Sequence, residues 1–168
     1  MKKALRFLLP AAAVLLVVLA ILWQNGAFTQ KTVGDNPAGT VHLTIRCDRA
    51  LAYEGLQETI RSVLPEDGVL ADDDAEIYEG DTVFTVLSRF CKEKRLPLSS
   101  KGSTRYGVYV DGIAGLFEMD AGAQSGWMFS VNGDFPSKSA GDTALKDGDD
   151  VAWVYTLDLG KDVGSRAS

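Results

Sequence analysis

The segment Gly126–Tyr155 constrains the fold more than any other part of the chain. It opens with Trp127-Met128-Phe129-Ser130-Val131, a run rich in strand formers, and passes directly into Asn132-Gly133. Both residues of an Asn-Gly pair tolerate positive φ, which a two-residue hairpin turn requires. The return, Phe135-Pro136 and then Ser137 to Thr143, is too small and polar for a long paired strand. A second turn at Lys146-Asp147-Gly148-Asp149 feeds Val151 to Thr156, where Val151, Trp153 and Tyr155 share one face and Ala152, Val154 and Thr156 the other. Two tryptophan-bearing strands thus flank an irregular loop, and loops held on a rigid sheet are where binding functions concentrate.

The first thirty residues set the expected compartment. Lys2, Lys3 and Arg6 precede an uncharged run of seventeen residues, Phe7 to Trp23, interrupted by Pro10. A membrane-crossing helix needs about 20 apolar residues and roughly 17 at the least, whereas the apolar part of a cleaved signal runs to about 15 and ends in small residues. Asn25 and Ala27 make a poor cleavage site. Residues 1–29 therefore read as an uncleaved signal anchor, touching the membrane through residues 7–23; a removed signal peptide, and hence a secreted domain, is the alternative. In both cases the basic residues stay inside and the bulk of the chain lies outside the cytoplasm. Residues 30–39 (QKTVGDNPAG) read as a flexible stalk, and residues 40–168 have the size of one domain.

Beyond residue 30 the chain carries 14 basic against 23 acidic residues, a net charge of −9. That balance argues against nucleic acid or anionic lipid as partner, since both need a basic surface.

Val41 to Cys47 alternates and predicts a first strand with Val41, Leu43, Ile45 and Cys47 inward. Ala50–Leu64 reads as a short helix stopped by Pro65, and Val69–Ala71 and Ala75–Glu79 as short strands around a solvated Asp72-Asp73-Asp74 loop. The three aspartates lack the spaced pattern of a calcium loop. Val83, Phe84, Val86, Leu87, Phe90 and Cys91 recur at helical spacing, with Asp81 suited to the N-cap and Leu96-Pro97 ending the helix. Ser99–Thr104 reads as loop, Tyr106–Val110 as a strand, and Asp111-Gly112 as the turn of a hairpin into Ile113–Met119. One helix packed on a mixed sheet in this order predicts an α+β domain of β-grasp type, preceded by the N-terminal helix.

Cys47 and Cys91 both point inward in this scheme, and in an oxidising compartment they are expected to pair, stabilising the fold by about 2–4 kcal/mol. No CxxC or His spacing supports a metal or reactive-thiol role for them. His42 reads as a surface residue of the first strand. No nucleophile elbow, phosphate loop or carboxylate in an apolar run is present, so the chain reads as a non-enzyme that requires no cofactor and no metal.

The strings SGWMFSVNGDFP, LKDGDDVAWVYT and DLGKDVG resemble the family DUF4430, itself similar to the C-terminal β domain of transcobalamin and intrinsic factor. The resemblance spans roughly His42 to Gly164. In the vitamin carriers an aromatic segment contacts the corrin ligand, and it matches Gly126-Trp127-Met128-Phe129 here. A second contact loop matches Ala140-Gly141-Asp142. The resemblance therefore implies a ligand site of Trp127, Met128, Phe129, Ala140, Gly141 and Asp142, with cobalamin or another corrinoid as ligand. The animal carriers close the site with a large helical domain that this chain lacks, so the resemblance implies either weak binding or a cell-surface partner protein for the other half. The places where many family members carry a further cysteine pair hold Ala140 and Leu157, leaving the loop less tightly stapled. For any one of Trp127, Phe129, Trp153 and Tyr155, sheet core competes with ligand contact; Met128, on the opposite face, is the better candidate for an exposed contact. The functional expectation is a tethered extracytoplasmic binding module, without chemistry of its own and able to feed an uptake system; a protein-protein or adhesion module without small-molecule ligand is the alternative.

Overall fold

The computed structural model describes residues 36–103 and 107–165. The apolar run 7–23 lies outside them, and among the described residues no helix is long and apolar enough to cross a membrane. The architecture is α+β, dominated by two sheets with few helices.

Strand β1 (Pro37–Arg46) is the axis of the larger sheet. It begins inside the stretch read as stalk, with Pro37 and Gly39 already paired to Tyr78 and Ile77. The expected alternation holds: Val41, Leu43, Ile45 and Cys47 are buried. The expected helix over 50–64 is instead two short ones, α1 (Asp48–Ala52) and α2 (Glu58–Arg61). Tyr53 leaves α1 in extended conformation, and the Arg61 guanidinium donates back to the Leu51 and Tyr53 carbonyls at 2.6 and 2.9 Å.

Strand β2 (Val69–Tyr78) runs unbroken through the aspartate triplet, which is therefore strand rather than loop. Asp72, Asp73 and Asp74 pair with Thr44, Leu43 and His42 of β1. Asp72 and Asp74 grip the two nitrogens of His42 at 2.9 and 3.1 Å, and Asp73 meets Lys94 at 2.7 Å. Hydrogen bonding to Asp74, ahead of the other nearby carboxylates, raises the His42 pKa. Charged side chains along a sheet edge also discourage pairing with another chain.

Helix α3 (Val83–Lys94) buries Val83, Val86, Leu87, Phe90 and Cys91, as its spacing predicts. Its N-cap is Thr82, not Asp81: Thr82 and Thr85 form a reciprocal capping box. Arg95 closes the helix in the left-handed conformation.

β3 (Leu98–Ser103), β4 (Gly107–Ile113) and β5 (Leu116–Phe117) form the smaller antiparallel sheet. Ser99–Ser103, read as loop, is thus paired strand, and β4 continues through Asp111-Gly112 to turn at Ala114-Gly115, both at positive φ. The Phe117 ring fills the place where a Gly112 side chain would stand, so the glycine gives that ring its room against the strand.

β6 (Gly126–Val131) and β7 (Asp150–Thr156) complete the larger sheet in the order β2-β1-β7-β6, with β1 and β7 parallel at its centre and the outer pairs antiparallel. A one-turn 3-10 helix at Lys161–Val163 comes next, its Asp162 accepting from the Leu157 N–H at 3.0 Å.

The cysteines depart from expectation. Both Cys47 and Cys91 are buried, but they are free thiols, so the structure holds no bond between them. Burial pushes each up to about 11, which favours the protonated thiol near neutral pH.

Candidate functional site

The Asn132-Gly133 turn forms as the sequence predicts, with φ of 53° and 82°, closed by paired hydrogen bonds between Val131 and Asp134. After it the chain does not return as a strand but forms a loop fastened to the start of α3. The first amide groups of a helix lack intrahelical partners. Here the Val83 N–H donates to Thr143 O at 2.9 Å and the Phe84 N–H to Ala140 O at 3.0 Å, while the Leu145 N–H donates to Asp81 O at 3.2 Å. Ala140 is buried as a result. Ser139 Oγ donates to Asp142 at 2.6 Å and Thr143 Oγ1 to Ser139 O at 2.9 Å, holding the loop's own shape.

Between this loop, β6 and the β3–β4 hairpin lies a cavity of about 520 Å³. Trp127, Met128, Phe129 and Trp153 supply one side, Lys101, Gly102 and Gly107 to Val110 the other, and Pro136 to Ala140 a third. Trp127 and Trp153 are almost wholly buried, so they act mainly as floor. The Trp127 indole N–H donates to Leu116 O at 2.9 Å, and its ring meets Tyr155 edge-on with centroids 5.3 Å apart. Tyr155 is core: its hydroxyl donates to Phe117 O at 2.7 Å and shares a 2.8 Å bond with Ser125. Phe129, half-buried and tilted against Trp153 at 5.2 Å, is the ring of the β6–β7 side with surface to offer.

Four of the six residues expected to contact ligand, Trp127, Met128, Phe129 and Ala140, therefore border one cavity. Gly141 and Asp142 stand behind the wall. A Cβ on Gly141 would touch Val108 Cγ2 at 3.1 Å, so the glycine lets the loop press against β4, and Asp142 braces Ser139. Met128 is half-buried, and its sulfur lies over Gly160, 2.5 Å from where a Cβ there would stand. The thioether is thus covered by the C-terminal turn rather than offered to solvent.

β4 overlaps the strand expected at Tyr106–Val110, but β3, and the place of the two in a cavity wall, were not legible in the sequence. Lys101 Nζ lies 3.0 Å from Asp111 and 2.7 Å from Glu118, and Glu118 also accepts from the Tyr109 hydroxyl at 2.7 Å. Partial burial of the hydroxyl, together with its hydrogen bond to Glu118, pushes Tyr109 up to about 12, so it keeps its proton at neutral pH. The glycines at 102 and 107 were the one available signal, marking backbone that must approach closely. Among the described residues no group of three or more His, Cys, Asp or Glu could hold a metal ion.

The arrangement of one helix, the β3–β5 hairpins and the β6–loop–β7 unit is also what comparison with known proteins picks out. Residues 80–156 match DUF4430, a domain of unknown function. The DUF4430 span contains every wall of the cavity and leaves out β1 and β2. The chain is also similar in fold to haptocorrin, solved in complex with Cbi, at 13% identity and a TM-score of 0.52 over 74% of this chain. It spans 27% of that haptocorrin chain. A protein of Ruminococcus gnavus ATCC 29149 with a provisional metal-binding label aligns at 14% identity and a TM-score of 0.43, over 70% of this chain and 96% of its own. No curated protein matches the sequence.

Proposed function

We propose that this DUF4430-containing chain is a non-catalytic binding module of β-grasp type for a soluble small molecule, a corrinoid being the most specific reading, held outside the cytoplasm by its N-terminal segment. The observation that carries the proposal is the cavity of about 520 Å³ where Trp127, Phe129 and Ala140 meet although the sequence separates them. Its size lies inside the usual range for small-molecule sites, about 300–1,000 Å³, and its wall is aromatic and aliphatic with few polar groups. A corrinoid is broader than such a cavity, so one edge of the macrocycle would enter and the rest would stay uncovered. The fold shared with haptocorrin, whose complex contains Cbi, supports the choice of ligand class. A partner at the cell surface is proposed to cover the part of the macrocycle left outside the cavity, with uptake as the process served.

Stepwise addition of cobalamin and cobinamide to the purified full chain tests this directly. Saturable quenching of tryptophan fluorescence with a shift in the corrin visible bands is the expected result, and Phe129→Ala weakens both by about tenfold, the loss of one buried ring contact. A linear, unsaturated response to both corrinoids at millimolar concentration sinks the corrinoid reading. The second reading, a protein-docking module, is favoured by the exposed Tyr109, Phe117 and Met119 around the β4–β5 hairpin, which are 47%, 44% and 63% accessible.

A further inference from the structure

We infer that the ligand of this cavity carries an oxyanion, a phosphate diester or a carboxylate, held at the mouth by Lys138 and the backbone N–H groups of Ser137 to Ala140. The inference deepens the small-molecule reading above and rests on it for the ligand's apolar remainder.

Charge is the first observation. Acids outnumber bases 23 to 14 beyond residue 30, yet the cavity lining includes two lysines and no aspartate or glutamate. The two lysines are not equivalent. Lys101 sits between Asp111 and Glu118 at 3.0 and 2.7 Å, so its charge is already answered. Lys138 is exposed on the loop and forms no ion pair with any described residue. An ammonium without a counter-ion among the described residues, at the mouth of a pocket in an acidic domain, selects for a negative group.

The backbone supplies the second observation. The carbonyls of Ser139, Ala140 and Thr143 are all taken: Ser139 O accepts from the Asp142 N–H and the Thr143 hydroxyl, Ala140 O from Phe84, and Thr143 O from Val83. The N–H groups of Ser137, Lys138, Ser139 and Ala140 have no acceptor among the described residues. Ser137 to Ala140 line the cavity, and amides without an acceptor among the described residues, beside a lysine, offer donors to an oxyanion, which replaces the water otherwise bound there. Behind the loop stands the N-terminus of α3, whose dipole adds positive potential at this point.

For a corrinoid this has a chemical consequence. Cobalamin bears a phosphate diester in its nucleotide tail, and cobinamide lacks that tail. The wild-type chain is expected to bind cobalamin about fivefold more tightly than cobinamide at low salt. The preference falls to about one in Lys138→Ala and at about 0.5 M salt, and survives in Lys138→Arg. The deciding measurement does not need a corrinoid. Titrating inorganic phosphate, and separately acetate, into the isotope-labelled full chain should shift the amide resonances of residues 137–140, and Lys138→Ala should remove the shifts. A phosphate response alone points to a phosphoryl group, the class to which the diester belongs, and an acetate response alone to a carboxylate. No response to either anion, or one that Lys138→Ala leaves intact, overturns the inference. Should both corrinoids fail to bind while phosphate moves these amides through Lys138, the corrinoid reading falls and the oxyanion anchor stands.

Discussion

Asp81 gathers four hydrogen bonds onto one buried carboxylate: from the Tyr78 N–H at 2.9 Å, the Thr85 hydroxyl at 2.8 Å, and two Arg89 nitrogens at 3.3 and 2.7 Å. Arg89 is itself placed, donating to Glu76 O at 2.6 Å and lying 4.9 Å over the Tyr78 ring. Burial works to raise the Asp81 pKa, but the Arg89, Tyr78 and Thr85 donors together outweigh it and the net shift is downward. A depressed folded pKa gives stability that is present above the unfolded value, about 3.9, and lost as pH falls through the folded one. The pair therefore holds the β2–α3 corner at neutral pH and lets go in acid. Asp81→Ala is expected to lose about 3 kcal/mol at pH 7, because it leaves Arg89 half-buried without its partner. The loss should shrink in acid, as pH falls through the depressed folded pKa and wild-type Asp81 itself takes up a proton. Urea unfolding at neutral and at acid pH checks this, and an equal loss at both would assign the effect to packing alone.

At the scale of elements, the β3–β4 hairpin depends on Gly102. Its φ is +103°, and a Cβ there would collide with the Gly107 carbonyl oxygen, which is backbone and cannot swing away. Gly102→Ala is expected to cost about 2 kcal/mol or more and to speed amide exchange across β3 and β4 while leaving β1 and β7 protected. Unchanged exchange in the hairpin would show that the backbone relaxes around the methyl. This hairpin is also where sequence reasoning fell short, for a physical reason. β1, α3 and β6–β7 were legible because each buries one face, so apolar residues recur at a period of two or near 3.6, and Asn132-Gly133 is a local turn signal. β3 (LSSKGS) and the centre of β2 (DDD) carry no such record. They are edge strands held by pairing with residues elsewhere in the chain, such as Leu43 opposite Asp73, and pairing through backbone leaves no mark in side-chain hydrophobicity. The candidate site divides along the same line. Its β6 and loop walls were legible as aromatic and irregular segments, whereas Lys101 and Gly102 enter it only because β3 pairs with β4.

For the molecule as a whole, the two sheets are fastened at one end and parted at the other. Trp127 and Tyr155 of the larger sheet donate hydrogen bonds to Leu116 and Phe117 of β5 at 2.9 and 2.7 Å, and the cavity opens where β3 and β4 face Phe129 and the 136–140 loop. An occupant that touches both sides acts as a removable strut across the open end. Binding to the folded state alone stabilises it by about 2.7 kcal/mol at a free ligand concentration about one hundred times Kd. For a domain of this size that corresponds to a rise in Tm of about 10 °C. The location of the stabilisation is more telling than its size. With the bound ligand spanning the cavity, amide exchange should slow together in β4 and β6, since local opening of either wall would then require release of the ligand. Slowing confined to β6 and β7 would mean that the ligand lies on the larger sheet alone. The β3–β4 hairpin would then be scaffolding, and a partner protein would have to supply the opposite wall.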